Sequence, residues 1–477
     1  MSNDQIPVRD ITPPKLKPVK VDSNGEFDLY AKQEKIYTKA FTGLFRNLRM
    51  GGGAFLFLLY FGTVWLNWGG RQAVWWNLPE RKFYIFGMTI WPQDFILLSS
   101  LLIISAFGLF FITVFAGRVW CGYTCPQSVW TWIFMWAEKV TEGDRNQRMK
   151  LDKQPMSQNK LTKKAAKHGL WFLVSFVTGL TFVGYFTPIR DLVIEFFTLQ
   201  ASGWAYFWIG FFTVATYLNA GYLREQVCIY MCPYARFQSV MFDKDTLVVS
   251  YDPRRGESRG PRKRGSDYKA EGLGDCIDCK ACVHVCPTGI DIRDGLQYEC
   301  ITCAACIDAC DSIMDKMGYA KGLISYTTEH NLNGEKTHLL RPRLIGYAVA
   351  LLAMLAGFAF AVINRPLVEL DVLKDRVLYR ENEVGRIENV YTVKVMNKDQ
   401  RQHTYVISAE GIEGLVLEGR REVTAAPGEI LSLPMGLSVD PEQLPNSTNE
   451  ITFKIRSLDD DGVKRSTDSR FIGPVIR

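Results

Sequence analysis

"DFILLSSLLIISAFGLFFITVFAGRVWCGYTCPQSV", residues 94 to 129, joins a long uncharged run to a pair of cysteines. Nothing ionisable of the Asp, Glu, Lys or Arg type falls between Asp94 and Arg118, and a helix of about 20 such residues crosses a bilayer. Four further stretches share this character: Arg49 to Arg71, Lys167 to Arg190, Glu195 to Arg224 and Arg343 to Arg365. Trp65, Trp68, Trp75, Trp76, Trp204 and Trp208 flank them, as interfacial aromatics do. The pattern predicts five transmembrane helices rather than five buried core helices. The first 50 residues are polar, so no cleavable signal peptide is expected.

Positive charge sets the expected orientation. Residues 1–49 carry nine Lys and Arg, and 118–167 carry ten, against three in 71–94 and Arg190 alone in 190–195. Positive flanks stay inside. The N-terminal arm (1–49) and residues 224–343 are therefore expected in the cytoplasm. Helices one to four occupy 50–223, a fifth occupies 344–364, and 365–477 lies in the periplasm of a bacterial inner membrane. The formal charge of +6 fits this topology and gives no reason to propose a nucleic-acid partner. The basic run at 253–264 reads as a solvated loop or as a contact for anionic membrane lipid.

In the cytoplasm disulfides are disfavoured, so dense cysteines point to metal. Eight of the twelve fall between 276 and 310: Cys276, Cys279, Cys282 and Cys286, then Cys300, Cys303, Cys306 and Cys310. This is the bacterial ferredoxin spacing given twice, in which the fourth cysteine of each run serves the other cluster. It assigns Cys276, Cys279, Cys282 and Cys310 to one 4Fe-4S cluster and Cys300, Cys303, Cys306 and Cys286 to a second. Zinc sites pair two-cysteine arms across a longer insert and do not match. Pro287 follows Cys286, whereas Asp311 follows Cys310, a departure at a turn and not at a ligand. His284 lies inside the motif with all eight ligand places already filled.

The other four cysteines form a repeat. Cys121-x-Tyr-x-Cys125-Pro and Cys228-x-Tyr-x-Cys232-Pro each follow an apolar segment and precede Gln-Ser-Val. In a helix, residues four apart share a face, and proline ends that helix or opens the next. If the two units pack together, these thiols converge as soft ligands with Met231 as a weaker neighbour, suited to Cu(I), zinc or iron-sulfur chemistry. A reversible dithiol pair and small buried core residues are the alternatives. The five histidines, His168, His284, His330, His338 and His403, lie outside the apolar segments, and no C-x-x-C-H, P-loop or dinucleotide fingerprint occurs. Beyond Arg365, alternating runs at 389–398, 403–411, 429–439 and 449–458 predict a cysteine-free immunoglobulin-like β-sandwich. It offers a contact for a partner or a second copy, so a homodimer is among the assemblies considered.

The basic arm, paired CxYxCP motifs, dicluster insert, fifth span and terminal sandwich together resemble the FixG/RdxA/CcoG family of accessory proteins for cbb3-type cytochrome c oxidase. The resemblance covers nearly the whole chain. It implies a multi-domain membrane protein: a five-helix bundle, a ferredoxin-like insert and a terminal immunoglobulin-like domain. It also implies an oxidoreductase, a cupric reductase, that turns Cu(II) into Cu(I) for oxidase assembly, with Cys121, Cys125, Cys228 and Cys232 as copper site. A copper transporter or chaperone, oxidase assembly proteins and an electron donor would be its partners. A general polyferredoxin relay to a periplasmic reductase or quinone, and a non-redox scaffold, are the competing readings.

Overall fold

The computed structural model describes residues 35–460 and 462–474. Most of the basic arm, Arg9 to Lys32, lies outside them. The described part of the arm has no regular secondary structure before α1 and is pinned where Lys35 Nζ and Tyr37 Oη both donate to Asp152, at 2.8 and 2.7 Å.

Helix α1 (Leu44–Gly62) opens without a capping side chain of its own, because its N-cap residue is Gly43. Asp308, 263 positions away, takes that role, accepting from the backbone N–H groups of Phe45 and Arg46 at 3.2 and 2.7 Å. A carboxylate at a helix N-terminus satisfies orphan donors and suits the helix dipole. A Cβ on residue 43 would sit 2.3 Å from Asp308 Cγ, so only glycine admits this approach. Since Asp308 lies between Cys306 and Cys310, the cap also docks the cysteine-rich region onto the bundle. Asp308→Ala should cost about 1–2 kcal/mol of stability, read as a lower thermal midpoint, while Asp308→Asn should recover part of it; equal midpoints for all three proteins would contradict the cap.

After α1 comes a three-stranded antiparallel sheet, Val74–Asn77, Lys82–Ile85 and Met88–Ile90. Helix α2 (Phe95–Ala116) then returns through the bundle. A five-residue helix α3 (Val119–Tyr123) and helix α4 (Pro126–Glu142) follow. Helix α5 (Gln158–Gly184) packs against α6 (Gly203–Leu218), helix α7 (Pro233–Met241) closes the second repeat, and α8 (Ala305–Met317) belongs to the cysteine-rich region. Helix α9 (Pro342–Ile363) packs on α2.

Among the described residues, four helical stretches are long and apolar enough to cross a membrane: Leu44–Trp65, Pro92–Ala116, Gln158–Gly184 and Pro342–Ile363. None of the 22 residues of α9 is buried. An apolar helix with no fully buried residue, packed on α2 along one side and exposed along the rest, matches a lipid environment.

One expectation needs correction. The stretch 195–224 is not one regular helix: α6 has 16 residues and then continues as a π-helical turn, Asn219–Leu223, so it falls outside the four stretches named above. The 118–167 segment, which the sequence marks only by its ten positive charges, contains α4, which inserts between α1 and α5. Its ends explain why. Trp130 Nε1 donates to Thr178 Oγ1 and the Trp171 indole donates to the Phe134 carbonyl, while Glu138, almost fully buried, pairs with Arg148 and Arg224 at 2.6 Å each. Apart from Arg148, these partners stand 37 to 86 positions away in sequence.

Strands β1 (Val248–Tyr251) and β2 (Ile324–Thr327) pair antiparallel, with register Val248↔Thr327, beneath the cysteine motif. The chain ends in a sandwich of β3 (Val368–Lys374), β4 (Ile387–Asn397), β5 (His403–Glu410), β6 (Val416–Glu418), β7 (Glu422–Ala425), β8 (Ile430–Val439), β9 (Thr448–Ser457) and β10 (Lys464–Ile472). One sheet runs β6-β8-β4-β3, joined by a short strand at Arg380–Glu381, and the other β7-β5-β9-β10. Alternation builds the core: Ile451, Phe453 and Ile455 point inward beside Tyr391, Val393 and Val395 from the facing sheet. The sandwich sits at the end of the bundle opposite the cysteine-rich region. There Asp94, at the foot of α2, pairs with Arg365 and with Lys398, the latter at 3.2 Å.

Candidate functional site

The eight clustered cysteines surround two cavities. Cys276, Cys279, Cys282 and Cys310 line one, together with Tyr251 and Met314. Cys286, Cys300, Cys303 and Cys306 line the other, which Cys282 also borders. The fourth cysteine of each run thus faces the cavity of the other run. All eight are free thiols, buried or half-buried except Cys279, which is exposed.

The backbone is bent to the same purpose in both runs. Asp278 and Lys280 flank Cys279 with φ of 53° and 55°, and Thr302 and Ala304 flank Cys303 with φ of 52° and 58°. Left-handed conformations at non-glycine residues are uncommon and collect at functional sites. Here they alternate with cysteines of negative φ, an alternation that can turn successive N–H groups toward an anion, as in the nests of many iron-sulfur sites. Burial pushes the thiols of Cys282, Cys300 and Cys310 up to about 12. Without metal they would stay protonated, whereas a cationic iron core inverts that preference. Free sulfurs, matched cavities and paired nests therefore fit two 4Fe-4S clusters.

The CxYxCP motifs fold alike. Cys125 and Cys232 are the N-cap residues of α4 and α7, with Pro126 and Pro233 at the first helical position. Proline opens the next helix because its missing N–H is not needed there. Both second cysteines donate backwards across five residues, Cys125 N to the Trp120 carbonyl at 2.9 Å and Cys232 N to that of Val227 at 2.8 Å. Only the first cysteine of each pair is helical, in α3 and in the π-helical turn Val227–Met231. One shared helical face, the geometry considered from spacing alone, is therefore replaced by a helix break inside each motif.

The two motifs meet. Cys121 feels the charge of Cys125 and Cys228, and Cys232 lies within reach of both Cys125 and Cys228. Burial, reinforced by these neighbours, pushes Cys121 up to about 12 and Cys228 to about 11. No three of the four sulfurs lie within 4.8 Å of one another, a spacing reached among the described residues by Asp245, His330 and His338. Met231 is exposed at the rim.

Each repeat also supplies a glutamine to the other. Gln127 donates to the carbonyls of Asn219 and Arg224, at 2.8 and 3.1 Å. Gln238, fully buried, accepts from Cys121 Sγ at 3.5 Å. Turned over, the same amide would donate to a thiolate. Arg118 joins this site to the second cavity: its guanidinium donates to the Ala235 carbonyl at 2.9 Å and to that of Cys300 at 3.4 Å. The repeated Gln-Ser-Val was visible in sequence, but its crossing from one repeat to the other was not. Arg118 was counted only as a flanking charge.

Between thiols and cavity there is almost no gap. A Cβ on Gly122 would lie 2.8 Å from the Ile301 carbonyl oxygen and 2.9 Å from Cys303 Cα, and Cys121 packs against the apolar cluster to which Ile301 and Cys303 belong. His284 contributes a backbone carbonyl to Lys39, at 2.8 Å.

Comparison with known proteins follows this division. The family described as "4Fe-4S dicluster domain" matches residues 223–329, and that described as "IG-like fold at C-terminal of FixG" matches 358–474. "Nitrogen fixation protein FixG" of Rhizobium meliloti (strain 1021) is 38% identical over 450 residues, covering 86% of this chain and 85% of that protein. "Protein RdxB" of Cereibacter sphaeroides is 39% identical over 85% of this chain and 87% of its own length, and "Protein RdxA" of the same organism 39% over 81% and 84%. The crystal structure of a FixG-related protein from Vibrio parahaemolyticus aligns with 22% of this chain and 95% of its own, at 31% identity and a TM-score of 0.21.

Proposed function

The chain belongs to the FixG family, and from that premise we propose that it is a membrane-spanning iron-sulfur oxidoreductase that reduces Cu(II) to Cu(I) at the paired CxYxCP thiols, for assembly of a cbb3-type cytochrome c oxidase. The observation that carries this reading is the contact of Gly122 with the Cys303 backbone, which leaves the thiols one layer from a cluster cavity.

Cys276, Cys279, Cys282 and Cys310 would hold one cluster, and Cys286, Cys300, Cys303 and Cys306 the other. When bound, such clusters each carry one electron at a potential set by their surroundings. Exposed Cys279 marks the side open to a one-electron donor protein, Cys282 borders both cavities, and Cys303 abuts the thiol site. Each turnover needs one electron from that donor per Cu(II) converted to Cu(I). Soft thiolates favour the reduced ion, and Gln238 and Arg118 offer fixed dipole and charge as protons leave the sulfurs. Product would pass to a copper chaperone, transporter or assembly protein.

A second reading follows from the wide spacing of the four thiols. Sulfurs on one ion at about 2.3 Å each sit about 3.8 Å apart, closer than any three here, so these cysteines would instead hold a further iron-sulfur centre in a general relay. Iron analysis separates the two. Copper reduction at bare thiols predicts about eight iron per anaerobically purified chain, and a third cubane about twelve.

The charge asymmetry supports a cytoplasmic location for the clusters and thiols and a periplasmic one for the sandwich. A periplasm-dependent reporter should be active when fused after Arg477 and silent when inserted at Gly265; the reverse pattern would overturn this orientation.

A further inference from the structure

We propose that Asp245, His330 and His338 form a second metal site, for a borderline divalent ion, at the C-terminal end of α2, and that Cu(II) is taken up there. The first half stands on geometry. Only the identity of the ion as the reductase's substrate rests on the function proposed above.

Three chain segments bring these residues together. Asp245 lies in the loop between α7 and β1, His330 follows β2, and His338 precedes α9. Pairing of β1 with β2 fixes the first two, and Thr246 ties the loop to α2 by donating to the Val114 carbonyl at 3.0 Å. One ligand atom from each residue falls within 4.8 Å of the other two. His330 Nδ1 is 2.8 Å and His338 Nδ1 3.7 Å from the same Asp245 oxygen. Nitrogen and oxygen ligands about 2.0–2.2 Å from one ion lie about 3.3 Å apart in a tetrahedral set, so the two measured edges bracket the requirement without backbone movement.

The outer ring nitrogen of His330 faces Glu335 at 3.6 Å. A carboxylate behind a histidine ligand fixes its tautomer and raises its basicity. Asp245 also accepts from the His338 backbone N–H at 2.9 Å, which holds the third ligand's segment in place. His338 itself is 68% exposed, so the set is open on one side to solvent and to an exchanging ion. Two imidazoles and one carboxylate suit Cu(II) or Zn(II) and disfavour both hard cations and Cu(I), and Cu(II) leads the affinity order. The ligand set thus complements the sulfur site: nitrogen and oxygen for the oxidised ion, sulfur for the reduced one.

The test uses full-length protein with its clusters oxidised, titrated anaerobically with Zn(II) by dye competition and with Cu(II) by electron paramagnetic resonance. His338→Gln and His330→Gln are compared with the parent and with the Cys121→Ser/Cys228→Ser double variant, and unchanged visible cluster absorbance checks the fold. We expect each histidine variant to lose about tenfold or more in Zn(II) affinity and to lose imidazole nitrogen coupling from the Cu(II) signal, while the double cysteine variant keeps both. Parent-like Zn(II) and Cu(II) binding in both histidine variants would overturn the site. Weakened Zn(II) binding with unchanged Cu(I) production, in a parallel sample whose clusters are first reduced and which is given limiting Cu(II), would overturn its role in uptake. Zn(II) is not reduced, so its binding judges the site even if the chain makes no Cu(I).

Discussion

Replacing Cys279 and Cys303 together by Ser should strip both cavities of their cofactor and abolish Cu(I) formation, while leaving the CxYxCP thiols free to bind copper. The two residues stand at equivalent places, each between a pair of left-handed neighbours in its nest, so the change removes one central ligand from each set. Iron should fall by most of the expected eight per chain, and the visible charge-transfer absorbance should go with it. Because cluster binding contributes to folding, the thermal midpoint should drop as well. A variant that kept its iron and reduced copper normally would show that these cysteines are not the ligands.

The complementary change should separate the other half of the site. In Cys121→Ser/Cys228→Ser, each repeat loses its helical cysteine, while Cys125 and Cys232 keep their places at the starts of α4 and α7. Neither substitution replaces a cavity-lining cysteine, so cluster absorbance and iron content should stay near the parent's. Loss of outer partners alone costs metal sites about 10–100-fold in affinity, and loss of two direct ligands should cost at least about a hundredfold in Cu(I) retention, with a matching fall in yield. Parent-like retention and yield would remove copper from these thiols. Loss of iron instead would favour the relay with a further cluster.

What could be read from the sequence was what local spacing encodes. The crossed cysteine runs, the proline-opened helices and the strands at 387–397, 403–410, 430–439 and 448–457 each follow from a pattern a few residues long. Strand β10, rich in Lys, Arg, Ser and Asp, escaped because it is an edge strand with most side chains exposed. The composite α6 and the inserted α4 escaped for a different reason. Continuity of hydropathy does not reveal a helix that changes its hydrogen-bond step at Asn219, nor buried carboxylates whose partners, such as Arg224 for Glu138, stand 86 positions away. The same holds at the site. Asp308 reads as one acid inside a ferredoxin run until it is seen holding the N-terminus of α1, and Gln238 reads as part of a repeat until it meets Cys121.

The central claim is that electrons held by the dicluster region leave through the adjoining thiols to copper. Its most direct test is an anaerobic titration of cluster-reduced, reductant-free protein with Cu(II), following cluster absorbance and chelator-detected Cu(I) in the same sample. Two one-electron clusters predict about two Cu(I) per chain, appearing in step with cluster reoxidation. Clusters that stay reduced while Cu(II) accumulates unreduced would contradict the account.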